Sequence, residues 1–194
     1  MAKREIRSDK FYLGYPVLIV LATAASGELL ARTITSSYTL DDAIFMGFGK
    51  DGNFAEVLKV GQRLSVNIVS SQQGLLSDIA GAFPREKKLS ALTDAGARLT
   101  ENDGVPLLEN TPLSLICQLT EVHEIGDYVH VSAKISTRLL DDKLISADSV
   151  NWPAYQPLIY MGDRNNRAVY KQLGADATPV GSFLKFKKEA RSDE

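Results

Sequence analysis

Hydroxyl side chains crowd one stretch of this 194-residue chain, Arg32-Thr33-Ile34-Thr35-Ser36-Ser37-Tyr38-Thr39. β-Branched and hydroxyl residues at this density suit an extended segment with a hydrogen-bonding edge. Two readings stand for it. One is a solvated strand edge whose side chains bond to nearby backbone; the other is a rack of hydroxyls and amides that grips a polar ligand. Close by, Gly47-Phe48-Gly49-Lys50-Asp51-Gly52 spells G-x-G-x-x-G after an apolar run and before a helix candidate. In that order, backbone amides can hold a pyrophosphate at a helix N-terminus. Against a dinucleotide fingerprint, the following helix is short and stopped by Gly61. The next strand ends in Val69-Ser70-Ser71 with no acid for a ribose, and parallel-sheet spacing is missing. What is left is a glycine-rich turn that can bring Lys50 near an anion.

Other reactive residue types are sparse. Asp41-Asp42 and Asp141-Asp142 sit in polar surroundings, where capping and solvation are the ordinary roles. No nucleophile elbow surrounds any serine, so acyl transfer has no support. Cys117 alternates with core leucines and reads as a buried structural thiol. His130 falls on the polar face of its strand, facing solvent, a partner or a pocket. With only two histidines and one cysteine, neither an imidazole-rich metal site nor an intramolecular disulfide can be built.

Composition sets the outer limits. Hydrophobic residues at 44% and charged residues at 24% are those of a globular chain long enough to bury a sizeable core. A net charge of −2 argues against nucleic acid as an obligate partner. No apolar run approaches the ~20 residues that span a bilayer. Lys3, Arg4 and Arg7 followed by Val17 to Ala22 and Ala22-Thr23-Ala24 imitate a signal peptide. Glu5 and Asp9 in the basic region and Pro16 at the start of the apolar run speak against one. The expected location is cytoplasmic.

The elements that position these residues follow from periodicity. A strand is expected from Tyr15 to Ala25, and another at Ile44 to Phe48, each apolar on both faces and so covered on both sides. A short helix is expected over Phe54 to Val60, ended by Gly61. Arg63 to Ser70 alternates as a half-buried strand, with Leu64, Val66 and Ile68 inward and Ser65 and Asn67 outward. Gln72 to Phe83 switches to a helical period, with Leu75, Leu76, Ile79, Ala80 and Phe83 on one face. Arg85 to Asp103 reads as loop with short pieces. The runs around Leu113 to Thr120 and Val129 to Ser136 make a hairpin about Gly126-Asp127. Pro157 to Met161 is a last strand, and a charged tail begins at about residue 183. Many strands, few helices and no regular alternation point to one domain, residues 1–194. It is mainly β, a closed antiparallel barrel with a few short helices.

The order of these pieces resembles the flavin reductase-like family with its FMN-binding split barrel. Tyr15-Pro16-Val17, the Gly27 turn and Thr33-Ile34-Thr35-Ser36-Ser37-Tyr38 are similar to the family's opening. Val66-Asn67-Ile68-Val69, the helix from Gln72 to Phe83, Lys87-Lys88-Leu89, Leu115-Ile116-Cys117, Gly126-Asp127-Tyr128 and Pro157-Leu158-Ile159-Tyr160 follow in family order. The resemblance covers roughly residues 11 to 165. Three departures stand out. Asp41-Asp42-Ala43 replaces Asp-Pro-Pro, Ala31-Arg32 replaces Asn-Gly, and Tyr128 replaces a histidine that in related reductases lies near the nicotinamide.

The resemblance implies a homodimer with a flavin at the subunit interface. FMN is expected, with FAD as the alternative and NAD(P)H as co-substrate. A partner monooxygenase or another electron acceptor would take the electrons. The residues implied for the flavin are Arg32, Thr33, Thr35, Ser36, Ser37, Tyr38, Lys50, Gly52, Asn53, Asn67, Ile68, Val69, Ser70 and Lys88. Lys50, Asn53, Lys88 and Arg32 would serve the phosphate, and Asn67 to Ser70 would form a second wall. Tyr128 and His130 are implied for the nicotinamide. No catalytic acid or base is needed if cofactor and co-substrate supply the chemistry. The alternative is a flavin-binding electron carrier or redox sensor without nicotinamide-dependent activity, which Tyr128 would permit.

Overall fold

A computed structural model describes residues 3–5, 11–147, 149–163, 168–174, 176, 178, 180 and 182. The charged tail from about residue 183 lies outside the described residues, as do residues 1–2 and 6–10 of the charged N-terminal segment; residues 3–5 carry no helix. The strands are β1 (Phe11–Pro16), β2 (Leu18–Thr23), β3 (Leu29–Ile34), β4 (Ser37–Leu40), β5 (Ala43–Gly49), β6 (Arg63–Ile68), β7 (Leu99–Asn102) and β8 (Val105–Leu108). Then come β9 (Leu113–Ile125), β10 (Tyr128–Leu140), β11 (Ile145–Ser146), β12 (Ser149–Val150), β13 (Leu158–Asp163) and β14 (Val169–Gln172). Two α-helices, α1 (Gly74–Ala82) and α2 (Arg85–Asp94), lie between β6 and β7.

Seven strands form one antiparallel sheet in the order β3-β2-β6-β9-β10-β5-β4, and β1-β13-β14 form a second. The chain changes sheets at Pro16, which has no N–H for a central ladder. Val17 then donates to the Leu158 carbonyl at 2.9 Å and accepts from Val69 at 3.3 Å. The single strand expected over Tyr15 to Ala25 is therefore two, β1 and β2. The expected barrel is antiparallel and mainly β, but among the described residues no ladder joins its edges β3 and β4. Only Thr35-Ser36 link them.

Alternation decides the two cores. Leu18, Val20 and Ala22 of β2 face a core shared with Ile44, Met46 and Phe48 of β5, Leu64, Val66 and Ile68 of β6, and the inward residues of β9 and β10. Ile19 and Leu21 face the opposite way and pack, with Val17, under Leu76, Ile79 and Ala80 of α1 and Leu92 of α2. Strand β2 is thus covered on both sides, as its uninterrupted apolar run requires. Helix α1 has nine residues and two glycines, which is marginal in isolation. Burial of Leu76 and Ile79, about 1.5–3 kcal/mol each, outweighs that weakness.

Several expectations are corrected. Strand β5 is covered on one side only, because Phe45 and Gly47 lie beyond the reach of the helices. Strand β6 is not half-buried: Ser65 and Asn67 are fully buried beneath β8. Leu75, at 61% exposure, and Phe83, at 43%, leave the core face of α1. Only nine residues are helical, and a short 3₁₀ turn at Ser71–Gln73 shifts the helical phase ahead of Leu75. Arg85 to Asp94 is not loop but helix α2, which follows Pro84 and buries only Leu92. So thin an apolar stripe leaves no helical period to read. The β9–β10 hairpin is present with Gly126 in the left-handed region at φ 56°. The run that imitates a signal peptide is β2 itself, and no helix among the described residues is long and apolar enough to cross a membrane.

Candidate functional site

Helices α1 and α2 cover β2 and β3 but stop short of β5 and β10. That border leaves a cleft. Its wide part, about 570 Å³, is lined by Arg32, Thr33, Ile34, Thr35 and Ser36 on one side. Gly47, Gly49, Tyr128 and His130 line a second side, and Ser77, Asp78, Gly81 and Ala82 of α1 a third. A narrower chamber of about 160 Å³ is lined by Arg32, Gly52, Phe83, Pro84, Arg85 and Lys88 among others. Arg32 lines both, so the two adjoin at this residue. Beyond Ser36 a third hollow of about 620 Å³ opens past Ser37, Tyr38 and Phe45 toward His123 and His130.

The glycines of the G-x-G-x-x-G run have a local explanation that is not a nucleotide fingerprint. A Cβ on Gly47 would stand 3.4 Å from Ser36 Cβ, and one on Gly49 would strike Asp51 Oδ1 at 2.8 Å. One on Gly52 would press the Arg32 guanidinium at 3.2 Å. Each glycine keeps a neighbouring loop close, and a 3₁₀ turn, Asn53–Val57, follows in place of an α-helix.

The narrow chamber is cationic. Lys88 Nζ donates to Ala80 O at 2.8 Å and Ala31 O at 3.2 Å. Ala80 O is one of the carbonyls that α1 leaves unpaired at its C-terminal end, where a cation is favoured. Burial, and secondarily the Arg32 charge, push the Lys88 pKa down. No ion pair to Arg32 or Lys88 forms among the described residues, although Asp51 lines the same chamber.

Arg85, by contrast, is spoken for. It bonds Glu28 through Nε at 2.8 Å and Glu56 through Nη2 at 2.9 Å, tying α2 to the β2–β3 turn and to the 3₁₀ turn. Its hydrogen bond holds the Glu28 carboxyl below the ordinary value. A depressed carboxylate stabilises the fold above its unfolded pKa and stops doing so as pH falls through the folded one. Arg85→Ala should therefore lower Tm at pH 7, and the deficit should shrink on acidification below about pH 4.5 and in high salt. Melting curves of both proteins from pH 7 to 3 test this; a deficit that persists in acid would contradict it.

The implied site residues divide. Arg32, Thr33, Thr35, Ser36, Gly52, Lys88, Tyr128 and His130 line the cleft. Ser37 and Tyr38 turn to the outer hollow, where Tyr38 stacks on Phe45 at 4.7 Å. Lys50 is drawn away by an ion pair with Glu124 at 2.7 Å. Asn53 opens the 3₁₀ turn beyond Gly52. Asn67, Ile68 and Val69 are buried and line neither part of the cleft. Ser70 caps the turn into α1, its N–H bonded to Gln73 Oε1 at 2.9 Å. The second wall expected from Asn67 to Ser70 is supplied instead by α1, because β6 is a central strand with both faces covered.

Sequence reasoning missed Phe11, Tyr12, Tyr160 and Tyr170, which roof the cleft from the second sheet. Tyr160 stands edge-on to Tyr12 at 5.0 Å and to Tyr170 at 5.9 Å. Tyr170 donates to Asp78 Oδ1 at 2.7 Å, joining β14 to α1. Burial first, and this bond second, hold the Tyr170 hydroxyl protonated well above the ordinary range. Ser77 and Gly81 were also missed. A glycine inside a helix, at a cost of about 1 kcal/mol, was the available signal.

The fold has clear relatives. Flavoredoxin from Methanosarcina acetivorans superposes with a TM-score of 0.79 at 16% identity, covering 96% of this chain and 100% of that one. The NADH:FAD oxidoreductase of Streptomyces globisporus C-1027 gives 0.64 at 18% identity, covering 86% and 89%. The styrene monooxygenase flavin reductase of Pseudomonas putida S12 gives 0.61 at 16% identity, covering 87% and 95%. No curated protein sequence matches the chain. The flavin reductase-like domain model matches residues 11–168, most of the chain. With that match and this fold, the chain belongs to the flavin reductase-like family.

Proposed function

We propose that this chain is an NAD(P)H-dependent flavin reductase that binds FMN along the cleft. One observation carries the reading: two cations without a carboxylate partner among the described residues, Arg32 and Lys88, close the narrow end of a cleft whose wide end is walled by hydroxyls and aromatic rings. The chemistry of this donor set fits the group. A phosphate needs cations and N–H donors, which Arg32, Lys88 and the backbone at Gly52 and Asn53 offer. A flavin ring edge needs donors and acceptors, and Thr33, Thr35 and Ser36 offer them. Bound flavin would accept hydride and pass the electrons on.

The protein's own residues bind, orient and exclude water. Thr33 is fixed by its bond to Ser77 O at 2.6 Å, so its backbone is a rigid part of the wall. Tyr12, Tyr160 and Tyr170 shield one side, while Tyr128 and His130 flank the opening where a nicotinamide would stack. Exposed Phe11, Tyr38 and Ile125 beside the outer hollow form the apolar border that a second copy would cover in a homodimer. Residues 1–194 are taken as one domain, and a monooxygenase or another acceptor as the recipient of reduced flavin. Anaerobic mixing of the FMN-loaded protein with NADH or NADPH should bleach the absorbance near ~450 nm. Retained colour with both would overturn the reductase.

The second reading is an FMN-binding electron carrier. Tyr128, in place of the family's histidine at the cleft mouth, favours it. A chemically reduced protein that reoxidises with an acceptor, yet never bleaches with either nicotinamide, would establish it.

A further inference from the structure

Ser77 Oγ is the one buried side-chain polar atom among the described residues without a hydrogen-bond partner. Ser77 is 1% exposed, and it lines the wide part of the cleft. A serine inside a helix ordinarily bonds back to the carbonyl three or four residues earlier; this one does not. Its own carbonyl is taken by Thr33 Oγ1, so the Thr33 proton is committed and cannot serve the serine hydroxyl. Gly81, one turn later on the same helical face, has no side chain to cover it. A Cβ at Gly81 would sit 3.5 Å from Thr33 Cβ and 3.7 Å from Thr33 Oγ1, so the glycine leaves the space between α1 and the Thr33 wall open. An orphaned buried hydroxyl has lost its bonds to water without replacing them and calls for an explanation. A ligand lying in the cleft supplies one.

We infer that Ser77 Oγ is a hydrogen-bonding contact for the riboflavin moiety of the ligand, through a ribityl hydroxyl or a ring heteroatom. The inference rests on the flavin reading above. The phosphate is excluded as the partner by position: Lys88 lies in the narrow chamber, Arg32 where the two parts meet, and Ser77 only in the wide part. The contact therefore serves flavins with and without a phosphate. It also explains why a helix over the cleft keeps a polar residue on the face that Leu76 and Ala80 otherwise make apolar.

The test is a fluorescence titration of FMN and of riboflavin into the wild type and Ser77→Ala, with melting curves of the ligand-free proteins. Loss of the hydroxyl should weaken both ligands to a similar degree, ~5–20-fold. Tm of the ligand-free variant should be unchanged or higher, since an unsatisfied group has been removed. A variant that binds both ligands like the wild type would show a water or backbone partner and overturn the contact while leaving the flavin reading intact. A Tm that drops along with affinity would show a structural role and overturn it too. A wild type that binds neither ligand sinks the flavin reading and this contact together. Ser77→Cys, which keeps the volume but donates weakly, should reproduce the alanine result; wild-type affinity in it would count against the inference.

Discussion

Asn67→Ala should destabilise the protein by about 3–5 kcal/mol, the largest loss expected from any single polar side chain in the fold. Asn67 is 0% exposed in the centre of β6. Its amide nitrogen donates to Ile19 O at 3.0 Å and Ser65 Oγ at 2.9 Å. Its oxygen accepts from Leu108 N at 3.0 Å and Ser114 Oγ at 2.8 Å. All four positions of the side chain are filled, and they fasten β6 to β2, β8 and β9 at once. Ser65 in turn donates to Pro106 O at 2.6 Å, and Ser114 meets Thr111 at 3.0 Å, so the network has no free member to turn toward water. Alanine would leave the Leu108 N–H buried without a partner, at about 1–3 kcal/mol, and would strip one bond each from the Ile19 carbonyl and the Ser65 and Ser114 hydroxyls. It would also open a cavity the size of an amide. Urea unfolding should show a lower midpoint with an unchanged slope. A loss under about 1 kcal/mol would mean that the strands around β6 hold without the asparagine. Where the variant is still folded, its flavin affinity should equal that of the wild type, because Asn67 lines neither part of the cleft.

That placement shows what could and could not be read from the chain. Local signals were legible. The alternation through Leu113 to Ser136 and the Gly126-Asp127 turn define β9 and β10, and the double-sided apolar run defines β2. The hydroxyl run from Thr33 to Ser36 falls in the cleft, beside a strand whose extended character was clear, whereas Lys88 at the cationic end was reached only through the family resemblance, on a helix whose period was not legible. Asn67 was legible as a polar residue on β6, but the covering of its face was not. That cover comes from β8, forty residues later, in a hairpin whose two strands are four residues each. Lys50 failed in a similar way. Its partner Glu124 sits across the β10 strand at the tip of the long hairpin, so only the register of β5 on β10 brings them together. The aromatic roof needs the local pairing of β13 with β14 and that of β1 with β13, a contact across about 150 residues that no local period encodes. Alternation fixes which way a side chain points. What it then meets is a property of topology.

Arg32→Gln should weaken FMN binding by ~10–150-fold, the loss of one charge-assisted phosphate contact of about 1.5–3 kcal/mol, while riboflavin binding changes little. Glutamine keeps most of the aliphatic stem but removes the guanidinium that packs beside Gly52, so riboflavin is the control that separates lost charge from lost packing. Lys88→Gln should show the same split between the two ligands. The two losses should not add, since Lys88 and Arg32 repel each other in the ligand-free protein and removing either relieves the other. The same repulsion gives a pH signature. Lys88 loses its proton below the ordinary lysine range, because burial and Arg32 both disfavour the ammonium. A phosphate between the two cations favours the ammonium and raises that pKa on binding. FMN affinity should therefore fall as pH rises through the depressed Lys88 pKa, in a range where an exposed lysine would still be charged. Riboflavin affinity should stay level, and the FMN slope should vanish in Lys88→Gln. Rising salt should weaken FMN more than riboflavin for the same reason. If Arg32→Gln and Lys88→Gln lower the affinity for both ligands alike, the cations are shaping the cleft and not holding a phosphate, and the phosphate end must be sought elsewhere along its wall.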